Sequence, residues 1–78
     1  MNKTKKESEE KRFYSQEIEE TLRCFYNSLS EKDRRRYAGV EALKIGHGGC
    51  SYIAEVLGCS RRTVSKGVSE VVDLPQKK

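Results

Sequence analysis

From Phe13 onward the apolar positions of this chain fall at helical spacing. Tyr14, Ile18, Leu22, Phe25 and Leu29 stand at i, i+4, i+8, i+11 and i+15, a stripe along one helix face, with Glu17, Glu20, Arg23 and Asn27 opposite. A strand would need alternation, which is absent. Tyr26 lies off the stripe and is expected against a neighbouring helix. Ser30 followed by Asp33 reads as an N-cap with an acidic first turn, so a second helix restarts near Glu31. It carries Tyr37, Val40, Ala42, Leu43 and Ile45, and it stops at Gly46-His47-Gly48-Gly49, where three glycines in four residues cannot prolong it. A short third helix, about 51–57, ends at Gly58. Ser60 opens a fourth, about 60–72, with Val64, Val68, Val71 and Val72 on one face and Leu74-Pro75 behind it. The pattern predicts an all-α fold in which the last three helices form a compact unit and the helix at 13–29 is an addition.

The junction between the third and fourth helices makes a sharper demand. Two helices crossing steeply over a tight turn need a small residue at the crossing, a residue free to take positive φ in the turn, and an apolar plug after it. Ala54, Gly58 and Cys59 stand at those positions, followed by Ser60 as N-cap and Val64 as the branched residue of the buried face; Ile53, Leu57 and Val68 complete the inner surface. The spacing predicts a helix-turn-helix with a tri-helical core resembling that of a homeodomain. By subtraction, Arg61, Arg62, Thr63, Ser65, Lys66 and Ser69 point outward. Arginine there can bridge O6 and N7 of guanine in the major groove, Ser60, Thr63 and Ser65 can reach base edges or phosphate, and Lys66 can reach phosphate. Gly67 leaves a bare patch where backbone could approach DNA. The amides of Ser51 and Tyr52, opening the third helix, are candidates for one phosphate contact.

Charge sharpens this picture. The 78 residues carry a formal +4. Six Lys/Arg balance six Asp/Glu over residues 1–29, whereas residues 30–78 hold ten Lys/Arg and six Asp/Glu, so the whole excess lies in that second segment. Such one-sided charge suits a nucleic-acid partner. Arg34, Arg35 and Arg36 form a run read chiefly as a solvated face with a Glu31–Arg35 pair at i,i+4, a DNA-backbone role being the lesser alternative. Residues 1–12 are polar and without period, and disorder is expected there; residues 75–78 read as a basic tail. No apolar run approaches the roughly 18 residues of a membrane span, and the charged N-terminus lacks the apolar segment of a secretory signal. A cytoplasmic setting is expected, with Cys24, Cys50 and Cys59 reduced.

Rival chemistry is thinner. His47, Cys50, Cys59 and Cys24 could be assembled into a zinc set, but there is no CxxC knuckle and Cys59 is already needed as the plug, so no metal or other cofactor is expected. The Gly46–Gly49 segment lacks the GxxxxGK[ST] phosphate-loop pattern, and His47 reads as a polar loop residue. No nucleophile–base pair or paired carboxylates argue for catalysis.

The wording LSEKDRRRYAGVEALKIGHGGCSYIAEVLGCSRRTVSKGVSEV resembles the N-terminal region of ISAzo-type transposases, bacterial insertion-sequence enzymes with a downstream DDE nuclease domain. The likeness spans about residues 10–74. It rests on the acid-Arg-Arg-aromatic run from Glu31 to Tyr37, Glu41-Ala42, Gly46-His47-Gly48-Gly49, and Leu57-Gly58-Cys59-Ser60-Arg61-Arg62-Thr63-Val64. Cys50 departs from the family, which more often has an apolar residue there. The resemblance implies binding to the terminal inverted repeats of a mobile element. The DDE carboxylates are not in this sequence, so no nuclease activity is expected of it, and an excised domain or a truncated gene product is implied. A free-standing transcriptional regulator and a protein-interaction module stay open as alternatives, as does a homodimer through the helix at 13–29.

Overall fold

The computed structural model describes residues 13–75, which form four α-helices and no strand: α1 (Gln16–Asn27), α2 (Glu31–Ile45), α3 (Gly49–Leu57) and α4 (Arg61–Val72). The expected disorder of 1–12 and most of the basic tail lie outside the described residues. The fold is all-α, and no described helix is long and apolar enough to cross a membrane.

Local chemistry sets the helix ends. The side chains of Ser15, Ser30 and Ser60 accept the amides of Ile18, Asp33 and Thr63, so each serine satisfies one donor that a helix start leaves unpaired. α1 thus begins at Gln16, three residues later than the apolar pattern suggests, because Ser15 holds the cap and Phe13 turns back to set its ring edge-on to Tyr52 at 5.1 Å. Gly48 and Gly58 flank α3 with φ of 81° and 77°, conformations that strain any residue with a Cβ.

The core joins α2, α3 and α4. Ile53 and Val64 are fully buried, and Ala38, Ala42, Tyr52, Ala54, Val56 and Leu57 close around them. Burying side chains of the Ile53 and Val64 size contributes about 1.5–3 kcal/mol each. Val68 and Cys59 pack on this cluster from α4 and the turn before it.

Gly67 does not leave a bare patch for DNA. It is buried against α2, where a Cβ would overlap the Arg35 carbonyl oxygen, and a Cβ on Gly39 would run into the Gly67 carbonyl carbon. The two glycines let the backbones of α2 and α4 touch, and Gly67 is spent on the core side.

Only part of the apolar stripe docks: Tyr14 and Leu22 pack on the core and Leu29 is half-buried, but the rest of the contact lies off the stripe. Ile18 and Phe25 stay 47% and 51% exposed, whereas Glu19 is 6% exposed and Tyr26 is buried. The inward side chains make polar bonds: the Tyr52 hydroxyl donates to Glu19, and Arg23 Nε donates to the Val56 carbonyl at 2.9 Å. Leu22 supplies partly buried apolar contact, and Phe25 meets Tyr37 of α2 edge-on at 5.0 Å. A second polar cluster ties α2 to the residues before α1, with the Tyr14 hydroxyl donating to Glu41 at 2.9 Å and Lys44 pairing with the same buried carboxylate at 3.3 Å.

Candidate nucleic-acid interface

α4 is polar along its length in a way that separates two jobs. Val64, Gly67 and Val68 turn toward the core, while Arg61, Arg62, Ser65 and Lys66 are exposed within its first two turns; Val72, expected on the valine face, is 54% exposed at the last residue of the helix. The acidic groups come at the other end: Glu70 is bound to α2, and Asp73 ends the helix. Positive charge is therefore concentrated at the N-terminal half of α4, next to the partial positive charge of the helix start.

The outward residues divide by their partners. Arg61 Nη1 donates to the Ser51 hydroxyl at 3.0 Å, which links the start of α4 to the start of α3. Ser60 accepts the Thr63 amide at 3.1 Å, and the two hydroxyls lie 3.0 Å apart, so both side chains are engaged in capping. Thr63 is half-buried, which leaves it less reach than Ser65. Arg62, Ser65 and Lys66 make no side-chain hydrogen bond or ion pair with the described residues, and their donors face solvent. Gly48, Cys50, Ser51, Arg61, Arg62 and Ser65 line one groove of about 420 Å³ between the starts of α3 and α4. Its donors are guanidinium and hydroxyl groups, a set that recognises phosphate oxygens or base acceptors.

One site expectation does not carry over. The Tyr52 amide donates to the Gly48 carbonyl at 3.1 Å, and the ring is buried beneath Phe13 and Tyr14, so Tyr52 presents nothing outward. The reason is that α3 begins at Gly49, which puts Tyr52 already inside the hydrogen-bonded helix. His47 is exposed but lies with Phe13, Tyr52 and Glu55 rather than in the groove of Arg61 and Arg62.

The arginine run is also not a solvated face. Arg34 Nε and Nη2 donate to the Tyr26 and Asn27 carbonyls at 3.0 and 2.9 Å, closing the C-terminal end of α1, and its guanidinium sits 5.6 Å from the Tyr26 ring centre. Arg35 and Arg36 both reach Glu70, at 3.0 and 3.3 Å, so Arg35 bonds across to α4 in place of the expected Glu31 pair. The Arg35 and Arg36 hydrogen bonds hold the Glu70 carboxyl below its ordinary range, against a smaller opposing effect of burial. Partners 34 and 35 residues apart in sequence leave no local signal.

The cysteines form no bond with one another. Cys24 is exposed and Cys50 and Cys59 are half-buried, and among the described residues no group of three or more His, Cys, Asp and Glu side chains is arranged to hold a metal ion. Burial, followed by a hydrogen bond with Cys59, raises the Tyr26 phenol above its ordinary pKa. Comparison with protein-family models, curated proteins and solved structures gives no match to this chain.

Proposed function

We propose that this chain binds duplex DNA through a helix-turn-helix formed by α3 and α4, with the first two turns of α4 in the major groove. The observation that carries the reading is the exposed Arg61, Arg62, Ser65 and Lys66 set on one side of a helix whose other side is core. Ala54 buried, Gly58 at positive φ and Ser60 capping α4 are what such a crossing requires. The resemblance to ISAzo-type transposases gives the reading its biological form: an element-end-binding domain acting in the bacterial cytoplasm, with the terminal inverted repeats as its site and no catalytic step of its own.

Arg61→Ala and Arg62→Ala are each expected to weaken a selected duplex by about 1–3 kcal/mol, and the loss should be greater for that duplex than for an unrelated one. Random-site selection followed by anisotropy titration measures this. A double arginine variant that still folds and binds as tightly as the parent at physiological salt overturns the assignment of α4.

A second reading has its own observation. Ile18, Phe25 and Val40 are exposed apolar residues on α1 and α2, and they favour a protein contact such as a homodimer. Sedimentation of the free domain across a concentration series separates a self-associating chain from a monomer.

A further inference from the structure

The α2 arginines bear on a second surface. A groove of about 590 Å³ runs between the start of α2 and α4, with Arg34 and Arg35 contributed by α2 and Arg62 and Lys66 by α4. Tyr26 and Glu31 also line it. Its charge is unbalanced even after internal pairing, because among the described residues four cations line it with one carboxylate, Glu31, while Glu70 pairs with Arg35 beside it. Arg34 is held by two carbonyls and a ring, and Arg35 by Glu70 while still 27% exposed. Guanidinium groups fixed in this way lose little further freedom when an anion arrives, and each keeps unused N–H donors. Arg62 lines this groove and the one beside Ser51, so it stands between the two.

We infer that the α2–α4 groove is a track for the phosphodiester backbone of duplex DNA, one strand lying along Arg34, Arg35 and Lys66 while α4 faces the base edges. The inference rests on the reading of α4 as the DNA-contacting helix and extends the footprint to the start of α2. Phosphates are the fitting ligand because the groove offers fixed cations without a closed, shaped cavity, which suits a repeating anionic chain. Glu31 is then a carboxylate inside a cationic track, and it lowers affinity.

That carboxylate gives the test. Glu31→Lys is compared with Glu17→Lys; each glutamate is exposed in the first turn of its helix, so the two changes share charge and helix-start cost, but Glu17 is outside the groove. Binding of a selected and an unrelated duplex is followed by anisotropy over a salt series, with circular dichroism to confirm folding. Glu31→Lys should steepen the dependence of log affinity on log salt by about 0.9 for both duplexes, Lys66→Ala should flatten it by about 0.9, and Glu17→Lys should leave it at the parent value. If the parent shows salt-dependent binding but Glu31→Lys and Glu17→Lys behave alike, the groove does not meet phosphates. A parent that does not bind duplex DNA removes the reading of α4 itself, and this inference with it. Should Glu31→Lys fail to fold, Glu31→Gln makes the same comparison with Glu17→Gln, at a smaller but same-signed change in slope.

Discussion

The seam between α2 and α4 and the seam that docks α1 hold the same small domain together by opposite means. Along the first, Gly39 and Gly67 bring two helix backbones into direct contact, and Arg35 and Arg36 clasp Glu70 beside them. Along the second, a buried glutamate, the Tyr52 hydroxyl, which also accepts the Tyr14 amide, and an arginine–carbonyl bond do much of the joining. Backbone contact tolerates no added atom, since neither partner can rotate away. Hydrogen bonds specify register just as strictly, but each has water as a competing partner, so losing one costs less. The seam that carries α4 is thus the stiffer one, which suits the role proposed for its exposed face.

The contrast can be broken at its strongest point with one methyl group. Gly67→Ala is expected to destabilise by about 3 kcal/mol or more, because the new Cβ overlaps the Arg35 carbonyl oxygen and a helix must move. A domain of this size has only about 4–12 kcal/mol in all. Denaturant titration measures the loss, and a fall under about 1 kcal/mol would refute the close crossing. Tyr52→Phe tests the other seam and should cost about 2 kcal/mol by removing a donor from the buried Glu19 carboxylate. In a double-mutant cycle with Glu19→Gln, additive losses would show that the bond does not couple the two residues.

The smallest effects come from pH, and they should strike the two seams from opposite ends of the scale. Burial, then the charge and hydrogen bond of Glu41, pushes the Tyr37 phenol from an ordinary 10.0 up to about 12, and Tyr14 shifts upward for similar reasons. A phenol that keeps its proton longer when folded contributes stability in full below pH 10, and loses it as pH rises from there to about 12. Glu70 has the reverse sign: its lowered folded pKa contributes stability above its ordinary 4.5, lost as pH falls through the depressed value. Thermal melts should therefore show an alkaline decline that Tyr37→Phe reduces and an acid decline that Glu70→Gln reduces. If either substitution leaves its own limb unchanged, the group assigned to that limb is wrong.

Much of this was legible beforehand where the cause is local. The Ser30 and Ser60 caps, glycines at positive φ and the Ala54–Gly58–Val64 spacing act within one turn or one junction, and residue order states them. The face of α1 was legible only in part. Its apolar stripe places Tyr14 and Leu22 correctly but leaves Ile18 and Phe25 exposed, and Glu19, Arg23 and Tyr26 complete the docked face, because the surface it meets offers the Tyr52 hydroxyl and the Val56 carbonyl. Hydrophobic periodicity assumes an apolar partner, and here the partner is partly polar. The arginine run misled for a related reason, since Glu70 competes better for Arg35 than the neighbouring Glu31 does.

The sequence by itself determined four helices, the Ser30 and Ser60 caps, and an α4 with cations at one end and Val64 and Val68 on its inner side, since propensity, capping and amphipathic spacing act over a few residues. Only the tertiary structure decided that Gly67 is a packing position, that Tyr52 is enclosed, and that the α2 arginines stand across a groove from Arg62 and Lys66. Those outcomes depend on which backbones approach each other from distant parts of the chain, and no local pattern encodes that distance.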